Sequence, residues 1–254
     1  MLLAGKKVLI MGIRNKWSIA WGAAQAAYEQ GAEVIFTYHP MEKQEKIKEL
    51  ISEIPNSAMY PCDAAEDAQI EELFKLVEKN HGKIDGILHS IAHANTEDMR
   101  NDFINTSKEG FAHANDVSAY SFIATARYAK EALNPGGSLV SFTYYGADKV
   151  FPGYNVMGIA KAALEASVRY LASDMGKDNI RVNAVSAGPI KTLSAKGIQN
   201  FSDILNVVTE RAPLKRNVTQ KEVGDVVAFL FSDLSTAVTG QVIFADNGFC
   251  ITGI

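Results

Sequence analysis

Short unbroken apolar runs alternate along this chain with segments whose apolar positions recur every three or four residues. Residues 7–11 (Lys-Val-Leu-Ile-Met) form such a run, stopped by Gly12, which is the pattern of a strand buried on both faces of a parallel sheet. Ser18 can then cap a helix over 19–30, where Ile19, Ala20, Ala23, Ala24 and Ala27 make one small apolar face before Gly31 closes it. The alternation repeats as strand 33–37, charged helix 41–53, strand 57–61, helix 67–80 and strand 84–90. A long helix is expected over 110–133, followed by an Asn134-Pro135-Gly136-Gly137 turn, strand 138–143, a helix over 154–175, and strands at 180–185 and 241–244.

Strands alternating with helices in this way predict an α/β fold: a single-domain, Rossmann-like, doubly wound parallel sheet of about seven strands with helices on both faces and right-handed crossovers. No linker, repeat or low-complexity tract divides residues 1–254, so one dinucleotide-binding and catalytic domain is expected. The stretch 191–208, after Gly188-Pro189, lies beyond a strand's carboxyl end and reads either as a segment covering a substrate or as an ordinary pair of surface helices. Composition narrows the function classes. With 25 Lys plus Arg against 29 Asp plus Glu, no basic stripe exists for a nucleic-acid backbone. Two cysteines, Cys62 and Cys250, are too few for a disulfide framework and fit a reducing cytoplasm. No apolar run approaches the roughly 18 residues of a membrane span, and the amino-terminal residues lack the apolar core of a signal peptide. A cytoplasmic protein with no nucleic-acid or membrane partner is expected.

The first strand-to-helix turn is a candidate anion site, since backbone N–H groups and the helix dipole point at whatever sits there. The segment from Gly12 to Ala20 holds one glycine, so the three-glycine dinucleotide fingerprint fails, although Ser18 can offer a hydroxyl to a phosphate while Ala20 and Gly22 leave room. Asp63, in Cys62-Asp63-Ala64, can accept from an adenine amino group or cap the following helix. Ser90-Ile91-Ala92 supplies small residues where a ribose and nicotinamide would pass, or a plain turn. His89 and His93 straddle a strand end with no further ligand at metal-binding spacing, so no metal is expected.

The most specific feature is Tyr154 followed by Lys161. Seven residues advance a helix by roughly 700° at about 100° each, which places the two side chains on one face, two turns apart. A nearby ammonium favours the phenolate, so the pair can supply a proton or a strong hydrogen bond near neutral pH; a half-buried tyrosine beside a snorkelling lysine is the plainer alternative.

From Gly5 to Gly248 the chain resembles the enoyl-acyl-carrier-protein reductases, a divergent branch of the short-chain dehydrogenase/reductase superfamily that reduces the 2,3-double bond of fatty-acyl thioesters. The motifs carrying the resemblance are Gly12-x5-Ser18-Ile19-Ala20, Tyr144-x9-Tyr154-x6-Lys161, Asn155-Val156-Met157-Gly158, and Ser186 through Thr192 (Ser-Ala-Gly-Pro-Ile-Lys-Thr). The resemblance implies that Lys161 binds the nicotinamide ribose, that Tyr154 serves the thioester carbonyl, and that Tyr144 is a second active-site tyrosine, with Tyr145 beside it as the competing ring. It also implies dinucleotide contacts from Gly12, Ser18, Ile19, Asp63, Ala64, Ile91, Ile190 and Thr192, an acyl pocket at Ala94, acyl carrier protein bearing the enoyl chain as partner, and a homotetramer.

Two features bear on the reaction and the cofactor. Ser141, thirteen residues before Tyr154, keeps a ketone-reducing alternative in view, whereas Gly158 occupies the position where that geometry needs a lysine. A dinucleotide-binding sensor without catalysis is a third reading, opposed by the intact Tyr154 and Lys161. Residues 36–43 (Phe-Thr-Tyr-His-Pro-Met-Glu-Lys) contain no arginine to hold a 2′-phosphate, which predicts NADH, with NADPH as the alternative if Lys43 or His39 swings in.

Overall fold

The computed structural model describes residues 1–192 and 201–252. The chain runs β1 (Lys7–Met11), α1 (Ile19–Glu29), β2 (Glu33–Tyr38), α2 (Gln44–Ile51), β3 (Ala58–Pro61), α3 (Asp67–His81), β4 (Ile84–His89), α4 (Thr96–Arg100), α5 (Lys108–Asn115), α6 (Ser121–Ala129), β5 (Leu133–Thr143), α7 (Asn155–Gly176), β6 (Arg181–Ala187), α8 (Phe201–Arg211), α9 (Gln220–Phe231) and β7 (Val242–Ala245). Among the described residues, seven strands form one parallel sheet in the order β3-β2-β1-β4-β5-β6-β7. The order reverses between β1 and β4, the switch point outside whose carboxyl ends sheets of this kind bind their ligands.

Alternate residues of each strand face opposite layers, as the unbroken apolar runs require. Val8 and Ile10 of β1 pack with α1, α2 and α9, where Trp21 and Phe36 stack at 6.2 Å. Leu9 and Met11 face α3, α6 and α7 through Phe74, Phe122 and Leu164.

The helix expected over 110–133 is instead two helices joined by a π-helical turn, Asp116–Tyr120, and it ends before Leu133, which already pairs with Ile84 in the sheet. The Asn134–Gly137 turn therefore interrupts β5 rather than preceding it, and the register shifts there. A helix absent from the sequence reading, α9, starts at a capping box in which Thr219 and Glu222 satisfy each other's backbone amides.

Gly22 also has a different role from the one expected. A Cβ at Gly22 would lie 2.5 Å from the Gln220 carbonyl oxygen, and one at Gly224 would lie 2.4 Å from the Gly22 carbonyl oxygen. These glycines let the backbones of α1 and α9 touch, so Gly22 serves helix packing rather than ligand approach.

Candidate active site

Because every strand is parallel, the segments that follow them gather at one edge of the sheet. Gly12 follows β1, Asp63 and Ala64 follow β3, Ile91 and Ala94 follow β4, Tyr144 follows β5, and Ile190 and Thr192 follow β6. The structure thus brings these sequence-predicted residues to one edge of the sheet. Gly12 has φ +86°, and a Cβ there would sit 2.6 Å from the Ser90 carbonyl oxygen, so the β1–α1 turn runs hard against the end of β4. Ser18 caps α1 by accepting from the Trp21 amide at 3.2 Å, while its own hydroxyl donates to the Asn15 carbonyl at 2.7 Å. The amides of Ile19 and Ala20 belong to the first helical turn and have no intrahelical acceptor. Asp63 does not cap α3, whose N-cap is Glu66; it accepts from the Ala65 amide and faces His39 at 3.3 Å.

Past β5 the backbone stays extended at Tyr144, makes a short turn at Tyr145–Ala147 and enters α7 with Tyr154 as N-cap. Glycine is required twice here. A Cβ at Gly146 would meet the Tyr154 ring at 2.5 Å, and one at Gly158 would meet the Gly146 carbonyl oxygen at 2.8 Å. A lysine at 158 has no room. Asn155 opens α7 at φ +27°, held by its side-chain amide, which donates to the Asn101 carbonyl.

The two neighbouring tyrosines are distinguished by their packing. The Tyr144 ring meets Tyr154 edge-on at 5.0 Å. Tyr145 turns into a different cluster, against Phe151, Phe244 and Phe249, and its hydroxyl donates to the Cys250 carbonyl at 3.1 Å. Ala94 packs on the apolar group formed by Tyr154, Met157, Met99 and Ala160.

Lys161 is 6% exposed and Tyr154 9%. The Lys161 ammonium donates to the Phe142 carbonyl at 2.7 Å, and burial lowers its pKa to about 8. One turn on, Glu165 accepts from Thr143 at 2.7 Å, and its pKa is raised by burial. The Tyr154 hydroxyl does not shift toward the phenolate as expected. Burial raises its pKa, and Tyr144 and Glu165 reinforce the shift, so the phenol keeps its proton.

Sequence reading missed a buried network. His89 contacts Ser141 through Nδ1 at 3.2 Å and Ser121 through Nε2 at 2.8 Å, and its pKa is lowered to about 3, by burial first and then by Lys161. The two contacts span 52 and 32 residues, so no local spacing announces them. Ser141 is fully buried, with its hydroxyl donating to the His89 carbonyl at 3.1 Å. His93 pairs instead with His113 at 2.7 Å, and the described residues contain no cluster that could hold a metal ion.

The family model described as enoyl-(acyl carrier protein) reductase matches residues 12–250, a span that includes every one of these positions. The chain belongs to that family. It is 48% identical to the enoyl-[acyl-carrier-protein] reductase [NADH] FabI of Bacillus subtilis (strain 168), with 98% of each chain covered. It is 49% identical to the enoyl-[acyl-carrier-protein] reductase [NADPH] FabI of Staphylococcus aureus (strain MRSA252), with 97% of each covered. The Bacillus cereus enoyl-acyl carrier protein reductase, solved with NADP+ and indole naphthyridinone, superposes with a TM-score of 0.98 at 47% identity, covering 100% of this chain and 99% of that one. Among the described residues of this reductase, no helix is long and apolar enough to cross a membrane.

Proposed function

We propose that Tyr144, Tyr154 and Lys161 carry the chemistry of this NAD(P)H-dependent enoyl-[acyl-carrier-protein] reductase of fatty-acid elongation. The observation that supports the assignment best is a buried tyrosine and a buried lysine on the first turns of α7, at the carboxyl edge of the sheet.

The residues of this edge fit a nicotinamide dinucleotide. The free amides of Ile19 and Ala20 suit a diphosphate at the α1 terminus, Asp63 is an acceptor for an adenine amino group, and the Lys161 ammonium has N–H donors beyond the one given to Phe142 for ribose hydroxyls. Gly12, Ser18, Ala64, Ile91, Ile190 and Thr192 complete the walls. When bound, the cofactor supplies a hydride to C3 of the trans-2-enoyl thioester. Negative charge would then develop on the thioester carbonyl oxygen, to which the protonated Tyr154 donates a hydrogen bond, and a proton drawn from solvent would reach C2 as the enolate collapses to the saturated thioester. Lys161 adds its positive charge nearby, and Tyr144 holds the Tyr154 ring from the side. Tyr145, tied to Cys250, has no part in this step.

NADH is the cofactor we assign, because the turn after β2 presents Glu42 rather than a free arginine. The acyl chain lies along Ala94 and the apolar group beneath it, delivered by acyl carrier protein. Within the expected covering segment 191–208, residues 193–200 lie outside the described residues; beyond them α8 buries Leu205 and Val208 and leaves Ile204 half-buried. A homotetramer would cover large side chains left exposed along α5 to α7, among them Phe111, Ile159 and Tyr170.

The test compares crotonyl and acetoacetyl thioesters with wild type and two variants. Tyr154→Phe should bind NADH normally and lose about 10²- to 10³-fold in turnover on the enoyl thioester. Lys161→Ala should lose cofactor affinity and turnover together. Full activity in Lys161→Ala, or a preference for acetoacetyl thioester, would overturn the assignment.

A further inference from the structure

Overall similarity does not decide which nicotinamide cofactor a member of this family uses: relatives 48% and 49% identical to this chain carry NADH and NADPH, respectively, in their names. The choice must rest on a few side chains near the adenosine ribose, where a carboxylate favours a 2′-hydroxyl and an arginine a 2′-phosphate. This chain places one of each there, in contact. The Ile13 amide donates to the Thr37 carbonyl at 2.9 Å, and the Gly12 amide to the Thr37 hydroxyl at 3.1 Å, so the β1–α1 turn lies against the end of β2. Across that contact Arg14 Nε meets Glu42 Oε1 at 2.5 Å. Glu42 sits in the tight turn before α2, fixed by its amide donating to the His39 carbonyl at 2.9 Å. Of the other charged groups at this corner, His39 faces Asp63 and Lys43 is the N-cap of α2.

We propose that the Arg14–Glu42 ion pair sets cofactor selectivity, with Glu42 both repelling a 2′-phosphate and occupying the guanidinium that would otherwise bind it. Arg14 is more than half exposed and Glu42 is less so, so the guanidinium is the mobile partner and the carboxylate the fixed one. Releasing Arg14 is therefore a matter of removing one charge on the β2–α2 turn, with no repacking of the core. Both side chains lie at the surface, so once Glu42 is neutral the guanidinium can reorient without disturbing the core. The inference rests on the reading of this edge as the nicotinamide dinucleotide site.

The experiment measures dissociation constants, not turnover. NADH, NADPH, 5′-AMP and 2′,5′-ADP are titrated by calorimetry against wild type, Glu42→Gln, Arg14→Ala and the double variant. Wild type should bind NADH more tightly than NADPH. Glu42→Gln should tighten NADPH and 2′,5′-ADP by about tenfold or more while changing NADH and 5′-AMP by less than about threefold, since one like charge near a phosphate is removed and one opposite charge is released. In the double variant most of that gain should vanish, because the guanidinium is gone. No change in NADPH affinity in Glu42→Gln would overturn the proposal. So would a gain that survives intact without Arg14, which would make Glu42 a repulsive group only. If wild type binds none of the four nucleotides, the assignment of the edge itself fails, an outcome distinct from either.

Discussion

Tyr154 and Lys161 were expected to act as a tyrosine acidified by its neighbour. Burial reverses that picture, because desolvation penalises a phenolate and the neighbouring Tyr144 and Glu165 add to the penalty. The titrating group in this site is Lys161, displaced from an ordinary 10.5 to about 8. Below that value the ammonium is charged, and above it the charge is lost. Cofactor affinity and turnover should therefore fall together as pH rises through about 8, measured as kcat/KM for NADH across pH 6–10. The alkaline limb should persist on the residual activity of Tyr154→Phe; its disappearance there would show that the phenol is what titrates. The same displacement predicts a stability effect. Between about 8 and 10.5 the unfolded chain holds a proton that the folded one lacks, so stability rises with pH over that window, and at neutral pH the buried charge is a cost. Lys161→Met should accordingly raise Tm while losing function, as expected where a site is built against stability.

At the scale of elements, the α1–α9 contact is the least forgiving. Gly22→Ala or Gly224→Ala puts a methyl within 2.5 Å of a backbone oxygen on the other helix, and a backbone cannot swing aside as a side chain can. Each should lower unfolding free energy by about 1–3 kcal/mol or more in urea titration, and Thr219→Ala, which removes only the cap, by about 1 kcal/mol. Gly240→Ala has ordinary room for the added atom, with Ala172 Cβ at 3.5 Å, but its φ of +72° makes it a control for backbone strain alone. The strands were legible because a two-sided buried strand leaves an unbroken apolar run that no neighbour can disguise. Helix α9 was not read from its capping sequence Thr-Gln-Lys-Glu, although that was the available signal. The π-helical turn at Asp116–Tyr120 has no comparable mark; within it the Ser118 hydroxyl exchanges hydrogen bonds with the backbone of His93, a partner 25 residues away.

For the whole molecule, the carboxyl edge was legible in outline. The positions after β1, β3, β4, β5 and β6 could be named because strand ends in a parallel sheet must converge. What the sequence could not supply were partners distant in the chain: His89 with Ser121, Tyr145 with Cys250, and Arg14 with Glu42. The covering role proposed for 191–208 is tested at this scale as well. Burial of each methylene contributes about 0.8 kcal/mol, so affinity should rise from crotonyl to eight- or ten-carbon enoyl thioesters until the pocket is filled. Ile204→Asp should cost long-chain reduction more than crotonyl reduction and leave NADH binding unchanged; equal loss on both would make Ile204 part of the scaffold. The glycine contact between α1 and α9 has one further consequence, for the order in which the chain is made. Helix α1 (Ile19–Glu29) is synthesised long before α9 (Gln220–Phe231), the helix against which its backbone rests. A nascent chain can therefore form β1 and α1 early yet cannot lock them until residues 220–231 have emerged, a contact of very long sequence separation that slows folding. Nucleotide affinity should appear abruptly once residues 220–231 are present, so that dinucleotide binding distinguishes chains that include α9 from chains truncated before it.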